Sequence, residues 1–414
     1  MNFIKKHFEF SSIFLNDIFQ MVATFLSIAI ISQINLNFFA LYALTLSTLE
    51  IAREFSLFGN EKFFQKNIQN INISNQKFIN ESFSLNILFS FLSLVFFIIY
   101  KLFFDNSYII YSFLIFIPIL FHFKSLLILI LKYERKNALI LKIRSPIIFL
   151  GLLFKYIIFL KNYDIIYICL IIFLEQFLEA ISIYYFSKKS IFFPRKISFD
   201  FENMFKLFKK LLPIGLSIIL FKILIRIEVF YLDFLLDPKF VGAFFLCLKI
   251  FSAMLLIPRS ITTYLFPEIV KSSHKELLSK FYNYYTKLIF AGAIGGLLIY
   301  VLGYIYIAYF INDNLKFTIT YLPYFAAAFF CHSIGSIRNS FLIIINRQDE
   351  IFFPQFLSFI FKILISYLLI LEYQFIGACA SFLIIEILNI TIFNMFRKET
   401  RKILRLQSFT LKKI

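Results

Sequence analysis

Seventeen charged side chains fall inside long apolar runs of this 414-residue chain, and the chemistry of the chain must begin with them. Nine are basic, Arg53, Lys124, Lys155, Lys222, Arg226, Lys249, Arg259, Arg338 and Lys362; eight are acidic, Asp17, Glu50, Glu54, Glu175, Glu179, Glu228, Asp233 and Glu386. A charge near the centre of a hydrocarbon layer costs at least ~2.5 to 3.5 kcal/mol on insertion scales, so such groups must face a wet cavity or one another. Lys222 and Arg226 are four residues apart and Asp233 is seven further on, which sets all three on one helical face. Lys249, Arg338 and Lys362 stand in other apolar runs of the same half; with Lys222, Arg226 and Lys124 they form a candidate set for receiving an anion. Arginine suits that task, because its planar fork of donors matches phosphate oxygens. The same cations can also pair with Glu228, Asp233 or Glu386. Glu175 and Glu179 are like charges one turn apart, which makes either a candidate carrier of a coupling proton; hydrogen bonding to neighbouring Ser or Tyr is the alternative. Glu228 and Asp233 complete the candidate ion-coupling set. Glu50, Arg53 and Glu54 are three and four apart, where an intrahelical ion pair suffices. Arg259 and Lys155, near the ends of their runs, are expected to snorkel.

Other chemistry is missing from the sequence. The four cysteines, Cys169, Cys247, Cys331 and Cys379, stand singly in apolar runs with neither a disulfide framework nor CxxC spacing. The four histidines, His7, His122, His274 and His332, are equally scattered and are read as surface or helix-packing residues, so no metal site is expected. Ten glycines form no phosphate-binding loop, which excludes ATP hydrolysis by this chain. No cofactor is expected; H+ or Na+ is the candidate coupling ion.

These side chains need helices to hold them. Hydrophobic residues make up 60% of the chain, charged ones 16%, and the mean hydropathy is +0.83. The apolar residues come in blocks near the ~20 residues that cross a ~30 Å hydrocarbon core, and backbone groups in lipid must be satisfied within their own segment, so the blocks are helices. Twelve spans are predicted, at 10–32, 36–58, 83–104, 108–131, 145–160, 164–186, 211–236, 240–266, 288–311, 317–345, 352–371 and 375–396. Of the Lys and Arg outside them, 29 lie on one side and only Lys101, Lys161, Lys239 and Lys316 on the other, which places both termini in the cytoplasm. The net charge of +18 is thus a topology signal, and its dispersal over short loops argues against nucleic acid as a partner. The longest link, around 187–210, reads as a basic, partly amphipathic segment on the inner leaflet and divides the chain into six-helix lobes at 1–204 and 205–414. The first apolar block is too long for a cleavable signal peptide.

The halves resemble one another: Asn37 to Ala52 (NFFALYALTLSTLEIA) lines up at an offset of 202 with Lys239 to Met254 (KFVGAFFLCLKIFSAM). Six spans separate the copies, which makes a parallel repeat about an axis normal to the membrane, a usual basis for alternating access. Gly292-x-x-x-Gly296 is expected to bring two helices close.

Four stretches then carry a family resemblance. Ala40 to Gly59 (ALYALTLSTLEIAREFSLFG) resembles the second-span signature of bacterial polysaccharide (O-antigen) flippases, Wzx-like proteins of the multidrug/oligosaccharidyl-lipid/polysaccharide exporter superfamily. Leu212 to Gly242 resembles their seventh span, with Pro213 at its start and Arg226-Ile-Glu228 as a basic-x-acidic element. Tyr264 to Glu268 (YLFPE) and Phe375 to Ala380 (FIGACA) resemble the close of the eighth span and the opening of the twelfth. Glu228 stands where Asp is common, and Ala40 where Gly is usual.

The resemblance implies an all-α, MATE-like polytopic protein of about 12 spans in two pseudo-symmetric six-helix lobes around an inverted-V cavity. It also implies a multi-pass protein of the bacterial inner membrane, not an enzyme, that moves an undecaprenyl-pyrophosphate-linked oligosaccharide between leaflets. Membrane lipids and the lipid-linked oligosaccharide are the expected partners, with a polysaccharide polymerase or chain-length protein as candidate protein partners. The rivals are a multidrug or cation antiporter, which would rely on acidic cavity residues, and a flippase for the peptidoglycan precursor, a family that usually has fourteen spans. A membrane-embedded polymerase or ligase would need a large periplasmic loop, and no loop here is long enough.

Overall fold

Residues 2–61, 76–104, 108–190, 192–194, 200–258, 260–261, 274–344, 349–398, 400–402 and 404–405 are described by a computed structural model. The described residues are almost entirely helical, and the chain divides into two compact units, Met1–Ile219 and Leu220–Ile414.

The first unit opens with α1 (Asn2–Ile34) and α2 (Leu36–Leu57). One residue separates them. Asn35, with extended backbone, starts α2 by accepting the N–H of Asn37 at 2.8 Å and of Phe38 at 3.1 Å on its side-chain oxygen. At its other end the left-handed Phe58 and Gly59 close α2, and Gly59 lets the chain pass 3.0 Å from the Gly215 nitrogen, measured to where a Cβ would stand. Next come α3 (Gln76–Phe104), α4 (Ile109–Phe116), a 3-10 turn (Ile117–Phe121), α5 (Lys124–Tyr133), α6 (Asn137–Lys161) and α7 (Ile165–Ser187). Pro118 sits in the 3-10 turn, and across it the fourth predicted span is broken, with a 42° bend between Ile109–Phe121 and Lys124–Tyr133. Asp164 caps α7 by accepting the Ile166 N–H at 3.0 Å. The core of this unit gathers Leu126, Leu127, Ile130 and Leu131 of α5 with Phe83, Ile140, Ile143 and Ile183.

The boundary between the units falls inside α8 (Phe201–Leu235). The second unit continues with α9 (Pro238–Met254), α10 (His274–Phe310), a 3-10 helix (Asp313–Tyr321), α11 (Leu322–Ile344) and α12 (Asp349–Ile390). Gln374 breaks α12 with φ 53° and ψ −127°, so the eleventh and twelfth predicted spans are its two halves. Gly292, Gly295 and Gly296 bring α10 against α11: a Cβ on Gly295 would lie 2.2 Å from the Phe329 ring, and one on Gly296 3.1 Å from the Ala326 carbonyl. Phe rings make the core, Phe244 meeting Phe325 edge-on at 5.4 Å and Phe251 meeting Phe382 at 5.1 Å.

Each of the twelve predicted spans overlaps a described helical segment, the eighth and tenth ending in residues outside the described ones. Eight helices, or nine with the bent pair, are long and apolar enough to cross a membrane by length and composition. The long helices outside that set are α2 and α8, which carry Glu50, Arg53, Glu54 and the Lys222–Asp233 series. On α6, Phe149, Leu150, Leu153 and Phe154 are exposed, a surface suited to lipid rather than water. Three expectations shift. The seventh span is the end of a helix that begins ten residues earlier, inside the expected surface link. The tenth starts as a 3-10 helix. The α-helix of the twelfth stops at Ile390 and is followed by a 3-10 turn (Ile392–Met395). Arg259 and Tyr264–Glu268 lie outside the described residues.

Candidate functional site: two buried charge networks

In the first unit the network is built on one face of α7. Glu175 and Glu179 are one turn apart, as their spacing requires, and each meets its own cations. Lys155 of α6 reaches both Glu175 oxygens at 2.8 Å and lies 3.4 Å from the Ser27 hydroxyl of α1. Room for that carboxylate comes from Gly151, one turn before Lys155: a Cβ there would lie 1.6 Å from Glu175 Oε1. Glu179 takes Lys124 Nζ at 2.7 Å on one oxygen and Arg144 Nε at 2.6 Å on the other. Lys124 also donates to the Gln176 side-chain oxygen at 2.8 Å. The break in the fourth span matters here, because it makes Lys124 the first residue of a new helix that packs on α7.

Two expectations about single cations are corrected by this geometry. Lys155 does not snorkel; it is 4% exposed and paired. Arg144, counted among loop cations, belongs to α6 and holds Glu179. Glu175 and Glu179, the candidate proton carriers, together face three cations, Lys155, Lys124 and Arg144.

In the second unit Glu228 of α8 has no exposed surface. Lys362, 2% exposed, puts Nζ 2.5 Å from Oε1 and 4.6 Å from the Phe382 ring centre. Ser381 and Ser366 hydroxyls donate to the same oxygen at 3.2 and 3.4 Å. The break at Gln374 makes this possible, since Ser366 and Lys362 come from the first half of α12 and Ser381 from the second. Oε2 of Glu228 has no hydrogen-bond partner among the described residues.

Arg226, two residues away and therefore on another face of α8, is 2% exposed, and its guanidinium lies 5.9 Å from the Phe245 ring centre. Lys249 stands 5.0 Å from the same ring. Lys222 is half-buried and Asp233 exposed, so the shared face runs from partly buried through buried to open. Arg338 is turned toward the end of α12, donating to the Asn389 carbonyl at 3.1 Å, the Asn389 side chain at 3.0 Å and Asn394 Oδ1 at 2.8 Å. Glu386 meets His332 at 3.2 Å.

The structure thus joins Lys124 with Glu179 and Lys362 with Glu228, and gathers Arg226 and Lys249 at one ring. Arg338 stands apart from those pairs. Sequence reasoning missed Arg144, Gln176, Ser366, Ser381 and the His332 contact. A signal for Arg144 existed: Arg144, Gly151 and Lys155, seven and four apart, form one stripe on α6. The serines and His332 depend on how distant spans pair, which one sequence does not display.

No protein-family model matches the sequence, and neither does any curated protein. Solved structures do match in fold. A eukaryotic MATE transporter, AtDTX14, superposes with a TM-score of 0.67 at 14% identity, covering 97% of this chain and 97% of that one. The lipid II flippase MurJ in an inward closed conformation gives 0.67 at 14% identity, covering 98% and 90%. A MOP-superfamily transporter from Pyrococcus furiosus, described as having a binding pocket of reverse polarity, gives 0.63 at 12% identity, covering 96% and 94%. The chain is a polytopic membrane protein with the fold found in MATE transporters and in the lipid II flippase.

Proposed function

We propose that this protein is a flippase that carries an undecaprenyl-pyrophosphate-linked oligosaccharide, an O-antigen or polysaccharide repeat unit, across the bacterial inner membrane by alternating access, with both termini in the cytoplasm. The observation that carries the reading is the charge balance of the second unit. Its spans hold Lys222, Arg226, Lys249, Arg338 and Lys362 against the acids Glu228, Asp233 and Glu386. A surplus of cations held within the membrane favours an anionic cargo, and a lipid pyrophosphate is such a cargo. An organic-cation antiporter would need the opposite balance. The likeness to a lipid II flippase agrees with a lipid-linked substrate, and the likeness to MATE transporters keeps drug antiport as the rival to be tested.

Arg226 is the residue assigned to the pyrophosphate, with Lys222 and Lys249 beside it, while the acids serve ion coupling. The test is complementation of a flippase-deficient strain, scoring surface glycan and membrane protein level together. Arg226→Ala is expected to reach the membrane at normal level yet deliver no glycan, and Arg226→Lys to restore part, because one ammonium cannot reproduce a bidentate fork. Normal glycan with Arg226→Ala removes this arginine from the substrate site. Drug resistance conferred without glycan delivery favours the antiporter.

A further inference from the structure

Away from its charge network, the first unit holds a small pocket of about 60 Å³ whose walls include Asn35, Asn37, Phe38, Tyr108, Tyr111 and Ile165. Asn35 and Asn37 come from the junction of α1 and α2, Tyr108 and Tyr111 from the start of α4, and Ile165 from the start of α7. These are the first, third and fifth connections between spans, so they share one end of the unit. With the termini in the cytoplasm, that end is periplasmic.

The walls combine two kinds of side chain. Tyr108 stands edge-on to Tyr111 at 5.8 Å and Tyr111 edge-on to Phe38 at 6.3 Å, a short ladder of rings that runs from the exposed Tyr108 to the buried Phe38. Tyr108 is held there with φ 54° and ψ 32°, a left-handed backbone that bulky residues rarely adopt. Two exposed amides share the pocket with these rings. The Asn35 oxygen is engaged by the Asn37 and Phe38 N–H groups in capping α2, so its NH2 is the part left to donate. Asn37 brings a donor and an acceptor.

Charge narrows the ligand. The walls contain no Lys, Arg, Asp or Glu. The nearest carboxylate, Asp164, caps α7 through the Ile166 N–H and acts on the Tyr111 hydroxyl without lining the pocket. An anionic headgroup would meet no cation in the walls, and an organic cation would meet no carboxylate. Rings that served only as interfacial anchors would need neither a pocket nor amides. Aromatic rings beside amide donors and acceptors match a neutral sugar, which has an apolar C–H face and a rim of hydroxyl groups. A pocket of this size takes one edge of a sugar ring and leaves the rest of a glycan in water.

We infer that this pocket is a sugar-binding subsite at the periplasmic end of the first unit, which holds one neutral sugar of the departing glycan and rests on the cargo proposed above for its role. The chain contains no Trp, so Tyr108→Trp keeps an aromatic ring at the pocket and supplies a sole fluorescent reporter. Full-length Tyr108→Trp protein in lipid nanodiscs is titrated with methyl glucoside, methyl galactoside and methyl N-acetylglucosaminide. At least one is expected to change the Trp emission saturably at millimolar concentration. Asn37→Ala in the same background should raise the half-saturating concentration by about fivefold, the loss of one hydrogen bond. Tyr309→Trp, at a position 78% exposed near the end of α10, controls for non-specific effects. The subsite is overturned by no saturable change with any of the three glycosides, by an equal change at Tyr309→Trp, or by a change that choline or added phosphatidylglycerol produces and the glycosides do not. Its role is read separately in cells, where Tyr108→Ala should lower glycan delivery several-fold at unchanged membrane protein level; unchanged delivery overturns the role. A protein that moves no glycan refutes the proposed function instead, and leaves the fluorescence measurement standing.

Discussion

Lys362→Met is the sharpest perturbation of the second unit. The substitution nearly conserves side-chain length and keeps the contact with the Phe382 ring, but takes the ammonium from 2.5 Å away from a carboxylate that has no exposed surface. Removing one partner of a buried pair leaves an uncompensated charge and destabilises by about 3–5 kcal/mol. The Ser381 and Ser366 hydroxyls stay, but at 3.2 and 3.4 Å they are long for O–H···O bonds and recover little of that loss. Glu228→Gln combined with Lys362→Met removes both charges, and a buried pair replaced by neutral groups of similar volume is often close to neutral in stability. The double variant is therefore expected to regain more than half of what the single one loses. Equilibrium unfolding in mixed detergent micelles, with helix content as the signal, measures both. A single variant within about 1 kcal/mol of the unsubstituted protein, against the 3–5 expected, refutes the claim that this pair is closed to water.

Gly151→Ala should act like a loss of Lys155, because its Cβ would fall 1.6 Å from Glu175 Oε1 and drive the carboxylate away; the expected loss is about 3 kcal/mol in the same unfolding assay. Arg144→Gln should destabilise the first unit by a similar amount, although its position reads as a loop in the sequence, and a silent substitution would place Arg144 outside the α7 network. Asn35→Ala should cost about 1 kcal/mol through loss of the cap on α2, measured the same way. Single cysteines at Asn106, Asn162, Asp237 and Asn314 in a cysteine-free background should react with an impermeant thiol reagent from the periplasm, and one at Ser190 should not; reversal at two sites defeats the orientation.

Much of the architecture is legible in the residues because lipid leaves few choices. A run such as Ile165–Ser187 must be a helix, and Asp164 before it and Asn162 two residues earlier mark where the chain turns. The glycines Gly292 and Gly296 announce a close helix contact, and a Cβ on either would stand only 3.1 Å from Ser333 or the Ala326 carbonyl. The site is harder to read because its pairs join helices far apart in the chain: Lys362 to Glu228, Lys124 to Glu179, His332 to Glu386. Periodicity puts Lys222, Arg226 and Asp233 on one face, but it cannot tell that the face runs from buried to exposed. The two breaks were visible only in part. Pro118 signals the 3-10 turn that frees Lys124 to start a helix, whereas Gln374 is not a residue type that foretells a left-handed backbone.

The central claim is that the cargo is a lipid-linked anionic glycan, and the most direct measurement is leaflet exchange in a purified system. Full-length protein is reconstituted in liposomes whose undecaprenyl-pyrophosphate oligosaccharide starts in the inner leaflet, and the fraction open to an external sugar-oxidising reagent is followed with time. Exposure of the glycan that depends on the protein, and that Arg226→Ala abolishes while the variant remains folded, is the predicted result. A time course equal to that of protein-free liposomes, from protein shown to be folded and under an imposed proton or sodium gradient, contradicts it.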